Sequence, residues 1–171
     1  MSDYRIIGLQ SIAIGDARTG ATAGMPSTMT TVSAIVPDSC NLGLEVPGQT
    51  ELGIEDSDYP DIVVNTPGAK IFEFATRDMG PVNMELGMGG TTSSTSWRAP
   101  NDAVVVKEVA IKAISKTYNG KKATIECVHC ALRQGGNLRL SKSESGTLSF
   151  QANIMRPKHA TTDAPIAVVW S

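Results

Sequence analysis

Asn119-Gly120 stands between two strand-like runs, Lys107 to Thr117 and Lys121 to Leu132. An Asn-Gly pair accepts the positive φ angles of a tight two-residue turn, and such a turn matches the twist of the strands that it joins. The pair therefore predicts an antiparallel hairpin, the strongest constraint in the chain. A two-residue turn sets Val109, Ile111 and Ala113 opposite Cys130, Val128 and Glu126 on one face. The other face then carries Lys112, Ile114, Lys116, Ile125, Cys127 and His129. The first face reads as core. The second mixes apolar and charged groups, as an interface or a partly solvated sheet face does.

Strand signals dominate the remaining sequence. Tyr4 to Ile14 is rich in isoleucine and bounded by Gly15-Asp16. Thr31 to Val36 is stopped by Pro37, and Ser39 to Val46 by Pro47-Gly48. Lys70 to Thr76 places Phe72 and Phe74 on one face, because side chains alternate along a strand. Leu138 to Leu140 and Leu148 to Ile154 read as a strand pair around Ser145-Gly146, and Ala167 to Trp170 as a terminal strand. Ala17 to Thr31 and Gly89 to Ser96 read as long polar loops. One short amphipathic helix is expected over about Met79 to Leu86. Asp78 is its cap, Pro81 lies in its first turn, Met79, Val82 and Leu86 recur at helical spacing, and Gly87 ends it. About nine strands and one helix predict a mainly β fold, an antiparallel β-sandwich or barrel with one short flanking α-helix and long loops. The 171 residues suit a single domain, 1–171.

Charge is segregated along the chain. From residue 19 to residue 69 there are seven acids (Asp38, Glu45, Glu51, Glu55, Asp56, Asp58, Asp61) and no Lys or Arg. From Lys107 to Lys158 there are ten bases and three acids, so an acidic third faces a basic third although the net charge is only −2. Such a chain can pair its two parts internally or with another copy. Glu51, Glu55, Asp56, Asp58 and Asp61 are the candidate lumen or interface acids, and Lys112, Lys116, Lys121 and Lys122 the candidate interface bases. The bulk charge does not indicate nucleic-acid binding. No apolar run reaches the ~20 residues of a membrane span, and the N-terminus lacks the pattern of a secretory signal. Three cysteines without framework spacing fit synthesis in a reducing compartment.

Motifs that carry chemistry are incomplete. Cys127-Val128-His129-Cys130 is half a zinc site, and only Cys40 and His159 remain to complete it. Strand alternation directs Cys127 and Cys130 to opposite faces, so both read as small core or interface residues. There is no Gly-x-Ser-x-Gly elbow, and Gly89-Gly90-Thr91-Thr92 lacks the ending of a phosphate loop. The run from Glu51 to Asp58 lacks the spacing of an EF-hand. No catalytic, cofactor-binding or metal-ligating residue is expected. Aromatic residues are only 5% of the chain, which disfavours a sugar-binding platform.

The order of features resembles the major tail tube proteins of long-tailed bacteriophages and the related tubes of contractile injection systems. An early strand precedes a long loop with Met25-Pro26 and Met29-Thr30, then a strand ending at Glu45-Val46-Pro47 and the acidic segment Thr50-Glu51 to Tyr59-Pro60. The helix Pro81 to Leu86 runs into Gly89-Gly90; Trp97 and Pro100 precede a lysine-bearing hairpin, and a closing strand ends near Arg156-Pro157. The resemblance is one of layout over most of the chain. It implies a subunit that self-assembles into hexameric rings stacked head to tail. It also implies a virion location in the tail, assembly in the bacterial host cytoplasm, and contacts with other tail proteins. DNA would pass through the lumen without sequence-specific binding, and acidic linings are frequent in the family. It implies no catalysis and no cofactor. The rival expectations are another virion or secretion-tube structural protein, or a monomeric β-sandwich binding module such as a carbohydrate-binding one.

Overall fold

The computed structural model describes residues 4–18, 24–52, 62–101, 106–133, 146–158 and 164–171. Its centre is the expected hairpin, β9 (Lys107–Lys116) and β10 (Ala123–Arg133). Tyr118 and Lys121 exchange backbone hydrogen bonds of 2.8 and 2.9 Å, so the loop has two residues. Asn119 and Gly120 take φ values of 49° and 74°, the left-handed region that the Asn-Gly pair was suited to fill. Before β9 in the chain come β1 (Ile7–Asp16), β2 (Thr30–Val32), β3 (Asn41–Leu44), β4 (Gly48–Leu52), β5 (Ile62–Thr66) and β6 (Lys70–Thr76). Then come α1 (Pro81–Met88) and two short strands, β7 (Thr91–Thr92) and β8 (Trp97–Arg98). After β10 follow β11 (Leu148–Ile154) and β12 (Ile166–Trp170).

All strand pairings among the described residues are antiparallel, and the main sheet runs β2-β1-β9-β10-β11-β6-β3, with β12 also on β10. No ladder joins β2 to β3 among the described residues, so the sheet curls over its core without closing into a barrel. The mainly β, sandwich-like fold with one short helix is the expected one. β10 is shared in an unusual way. One of its edges pairs with β9, while the other is divided: Ala123 to Cys127 pair with β12, and Cys130 to Arg133 with β11.

The hairpin register departs from simple alternation. Val109 faces Cys130 as expected, but Ile111 faces Cys127 rather than Val128, and Ala113 faces Ile125 rather than Glu126. Two irregularities cause this. Near the turn the ladder slips by one residue, and the Ala123 N–H donates to Ser115 Oγ at 2.8 Å. Between Cys127 and Cys130 a bulge restores the register. Cys127 and Cys130 consequently point to the same side and are both fully buried, which corrects the expectation of opposite faces. Ile125 likewise packs against the core, while Glu126 sits beside Lys112 on the outer side.

The core is filled by residues of six strands, β1, β2, β6, β9, β10 and β11. Ile12, Ile14, Val109, Ile111, Leu132, Leu148, Phe150, Phe72 and Phe74 are all at most 5% exposed. Phe74 and Phe150 stack with ring centroids 4.6 Å apart, and Phe72 meets Phe74 edge-on at 6.2 Å. Each such ring contributes roughly 1.5–3 kcal/mol through burial alone. The helix differs from its expected form. It runs two residues later, with Gly80 at its N-cap and Gly89 (φ 74°) at its C-cap, and Gly87 lies inside it. Its buried residues are Asn83 and Gly87, whereas Val82 is 62% exposed, so the amphipathic reading fails. The reason is tertiary: a Cβ on Gly87 would lie 3.0 Å from Leu148 Cδ2 and 3.2 Å from Phe150 Cε1, so only glycine lets the helix approach the core this closely. Asp78 acts one step earlier, accepting from the Gly80 N–H (2.9 Å) and from the Ser33 hydroxyl.

Two expectations met other outcomes. The stretch Gly89 to Ser96 contains β7, which pairs with β8, rather than being wholly loop. The β4–β5 hairpin was not anticipated; its signal was the β-branched run Ile62-Val63-Val64 opposite Thr50-Glu51-Leu52. The strand expected over Leu138 to Leu140 lies outside the described residues.

Candidate assembly surface

Among the described residues three uncharged strands of the main sheet, β2, β3 and β12, each have an unpaired edge. β12 and β3 are the two flanked by large exposed apolar side chains. β12 pairs through one edge with β10, and among the described residues its other edge is open. Its sequence, Ile-Ala-Val-Val-Trp, carries no charge, and Val168 and Val169 are 44% and 51% exposed although they point to opposite faces. The N-terminal segment extends this apolar surface. Tyr4 meets Trp170 edge-on at 5.3 Å, and Tyr4, Ile6 and Ile7 are about half exposed. Bases surround it. The Lys121 ammonium lies 3.6 Å from the centre of the Tyr4 ring, and the Arg5 guanidinium 5.7 Å from that of Tyr118. Lys122 exchanges backbone hydrogen bonds with Ser171 (2.9 and 3.1 Å), and Lys116 pairs with Ile7.

The second such edge is β3, Asn-Leu-Gly-Leu, which among the described residues pairs with β6 alone. Leu44 is exposed and Val46, just beyond it, is 87% exposed. From there the chain enters β4 and β5, which among the described residues pair with each other alone. The residues here are acidic: Glu45 receives the Ala69 N–H on its carboxylate at 3.0 Å, and Glu51 stands in β4 opposite Val63. Glu55, Asp56, Asp58 and Asp61 lie outside the described residues. Natural sheet edges are usually protected by charge, proline or bulges, because an open edge is a template for another strand. Within their ladders, neither β3 nor β12 has a charge or a proline.

The four candidate bases are not equivalent. Lys112 forms an ion pair with Glu126 at 3.1 Å and lies on the outer face of the hairpin. Lys116, Lys121 and Lys122 cluster at the hairpin tip beside the apolar patch. The structure thus brings three of the four together and separates Lys112. Sequence reading missed Tyr4, Ile6, Val168, Val169, Leu44 and Val46. Their signal was present as apolar residues in terminal or short strands, but exposure cannot be read from residue type.

The thiolate is disfavoured at Cys40 and Cys130, whereas the side-chain hydrogen bond with Cys130 lowers the Cys127 thiol. Burial pushes the Cys40 thiol up to about 11, and the side-chain hydrogen bond with Cys127 together with burial drives Cys130 well above its ordinary value. Among the described residues no group of three His, Cys, Asp or Glu side chains converges as a metal site, and no helix is long and apolar enough to cross a membrane. A groove of about 430 Å³ between β1, β2, β9 and α1 is lined by Asp16, Arg18, Glu85 and Lys107 among others. Its charges alternate in sign, which gives it no single class of ligand. Neither a protein-family model nor a curated protein sequence matches the chain.

Proposed function

We propose that this chain is a structural subunit that assembles with copies of itself into stacked rings, as a tail tube does. The observation that carries the reading is the presence of two open, uncharged apolar edges, one set among bases and the other beside Glu45, with Lys70 as the ladder partner of Leu44 there. β12 and the N-terminal segment are rimmed by Arg5, Lys116, Lys121 and Lys122. β3 and the β4–β5 hairpin carry Glu45 and Glu51. A contact between two different patches of one chain is heterologous, and it generates a ring where the rotation closes. Apolar burial supplies most of the affinity of such a contact, while the charges select register. The tail-tube layout supplies the expected ring of six, the head-to-tail stacking and the passage of DNA through the lumen. It also supplies the placement of the subunit in a phage tail beside other tail proteins.

Electron microscopy of the concentrated protein, with particle mass measured in parallel, tests the reading. Rings or tubes of uniform diameter are expected. A protein that stays monomeric at every concentration and salt level would favour the binding-module reading instead.

A further inference from the structure

His129 is buried on the outer side of β10, beneath the segment 155–158 that leads from β11 towards β12. Both of its ring nitrogens face acceptors. Nδ1 lies 2.9 Å from the carbonyl oxygen of Arg156. Nε2 lies 3.3 Å from Glu108 Oε2, a contact of ionic distance, yet it is sealed from solvent without an aligned hydrogen-bond partner among the described residues. A carbonyl can only accept, and so can a carboxylate. A neutral imidazole carries one proton. Placed on Nδ1, it leaves an unprotonated Nε2 within 3.3 Å of a carboxylate; placed on Nε2, it leaves the Nδ1 lone pair against a carbonyl. Only the doubly protonated ring meets both acceptors.

We propose that His129 is held as an imidazolium and that in this form it latches the 155–158 crossover onto the sheet, giving up one link when the ring loses a proton. The latch has two further ties. The Met155 N–H donates to the His129 carbonyl at 2.9 Å, and Lys158 Nζ donates to Glu108 Oε2 at 2.6 Å. The charged groups around the ring act in opposite directions. Glu108, from β9, favours the second proton; Lys158, from the crossover, disfavours it and reaches the ring through the same carboxylate. Arg156 faces the ring through its backbone, and on β10 itself Cys127 and Cys130 are turned into the core. The hydrogen bond from Lys158 holds the Glu108 carboxyl below its ordinary range, so the carboxylate stays charged through the range in which imidazoles titrate. The latch link is therefore present while the ring holds both protons and is lost when rising pH removes one of them. Among the described residues the chain after Lys158 next pairs at Ile166, the first residue of β12. The proposal stands whether or not β12 serves in assembly.

Nitrogen-15 NMR of the imidazole in the full chain, across the pH range about the imidazole value, together with amide exchange at Met155, tests it. Below the titration both ring nitrogens should read as protonated. Above it, protection of the Met155 amide, normalised to its intrinsic exchange rate, should fall by about 2- to 10-fold, the worth of one hydrogen bond. Glu108→Gln keeps the size of the side chain and removes its charge. In that variant the second proton should leave at lower pH, and the step in Met155 protection should move with it. Three results would overturn the latch: a singly protonated ring in wild type at acidic pH, a titration unmoved by Glu108→Gln, or Met155 protection that stays constant while the ring titrates.

Discussion

The two halves of β10 have opposite surroundings. Its C-terminal half, Cys130 to Arg133, pairs with β11 and belongs to the part of the core sealed by Phe74, Phe150 and the close-packed helix. Its N-terminal half, Ala123 to Cys127, pairs with β12, where Val168 and Val169 remain exposed and the far edge is open among the described residues. One strand therefore serves a finished interior and an unfinished rim. The difference teaches that stability and assembly reside in different residues of the same sheet, so substitutions should separate them.

The largest effect is expected in the sealed half. Phe150→Ala removes a fully buried stacked ring and should cost about 3–5 kcal/mol, read as a lower midpoint in urea unfolding. A cost near that of a surface substitution would mean that the two halves do not differ as described. Gly87→Ala is a smaller probe of the same region. The alanine gains about 1 kcal/mol of helix propensity, but its Cβ meets two fully buried side chains, where overpacking costs roughly 1–3 kcal/mol. A net loss of about 1 kcal/mol is expected; a gain would show that the helix can back away from Leu148 and Phe150.

Acid should act at the corner where β6 meets α1. Hydrogen bonds from Ser33 and from the Gly80 N–H hold the Asp78 carboxyl below its ordinary value. A depressed acid contributes stability that is present above its unfolded value of about 3.9 and is lost as pH falls through the folded value. Asp78→Asn should flatten that part of the stability profile, and an unchanged acid limb in urea titrations would remove Asp78 from the account. The smallest effect on folding, and the sharpest on assembly, is expected in the open half. Val169→Lys places a charge on the edge of β12 and should change unfolding stability by no more than about 0.5 kcal/mol. It should also raise the concentration at which light scattering first detects assembly, because lysine protects an open edge. Normal assembly of this variant would exclude β12 from the contact.

Several features of this fold were legible before any coordinates. Asn119-Gly120 determined the turn, because its two positive φ angles are a property of those residues and of no others nearby. Lys70 to Thr76 determined β6 with its two inward Phe rings, since alternation alone assigns their face. Other features needed the assembled molecule. Helical spacing pointed to Val82, yet the helix buries Asn83 and Gly87, because the side facing Leu148 and Phe150 is chosen by how closely it can approach them. Of the four bases, residue type could not distinguish Lys112, already paired with Glu126, from the three at the hairpin tip.

The sequence by itself determined where the chain turns, which segments extend and where charge is concentrated, since these follow from local dihedral preference, alternation and residue type. Only the tertiary structure decided that Cys127 and Cys130 share one face, that His129 is enclosed beneath the 155–158 crossover, and that β11 and β12 divide one edge of β10. The first of these follows from the bulge between Cys127 and Cys130 in the ladder with β9. A bulge adds one residue to one strand of a pair and reverses the faces beyond it, which simple alternation does not record. The pairing of β11 and β12 with β10 joins segments that local sequence does not connect.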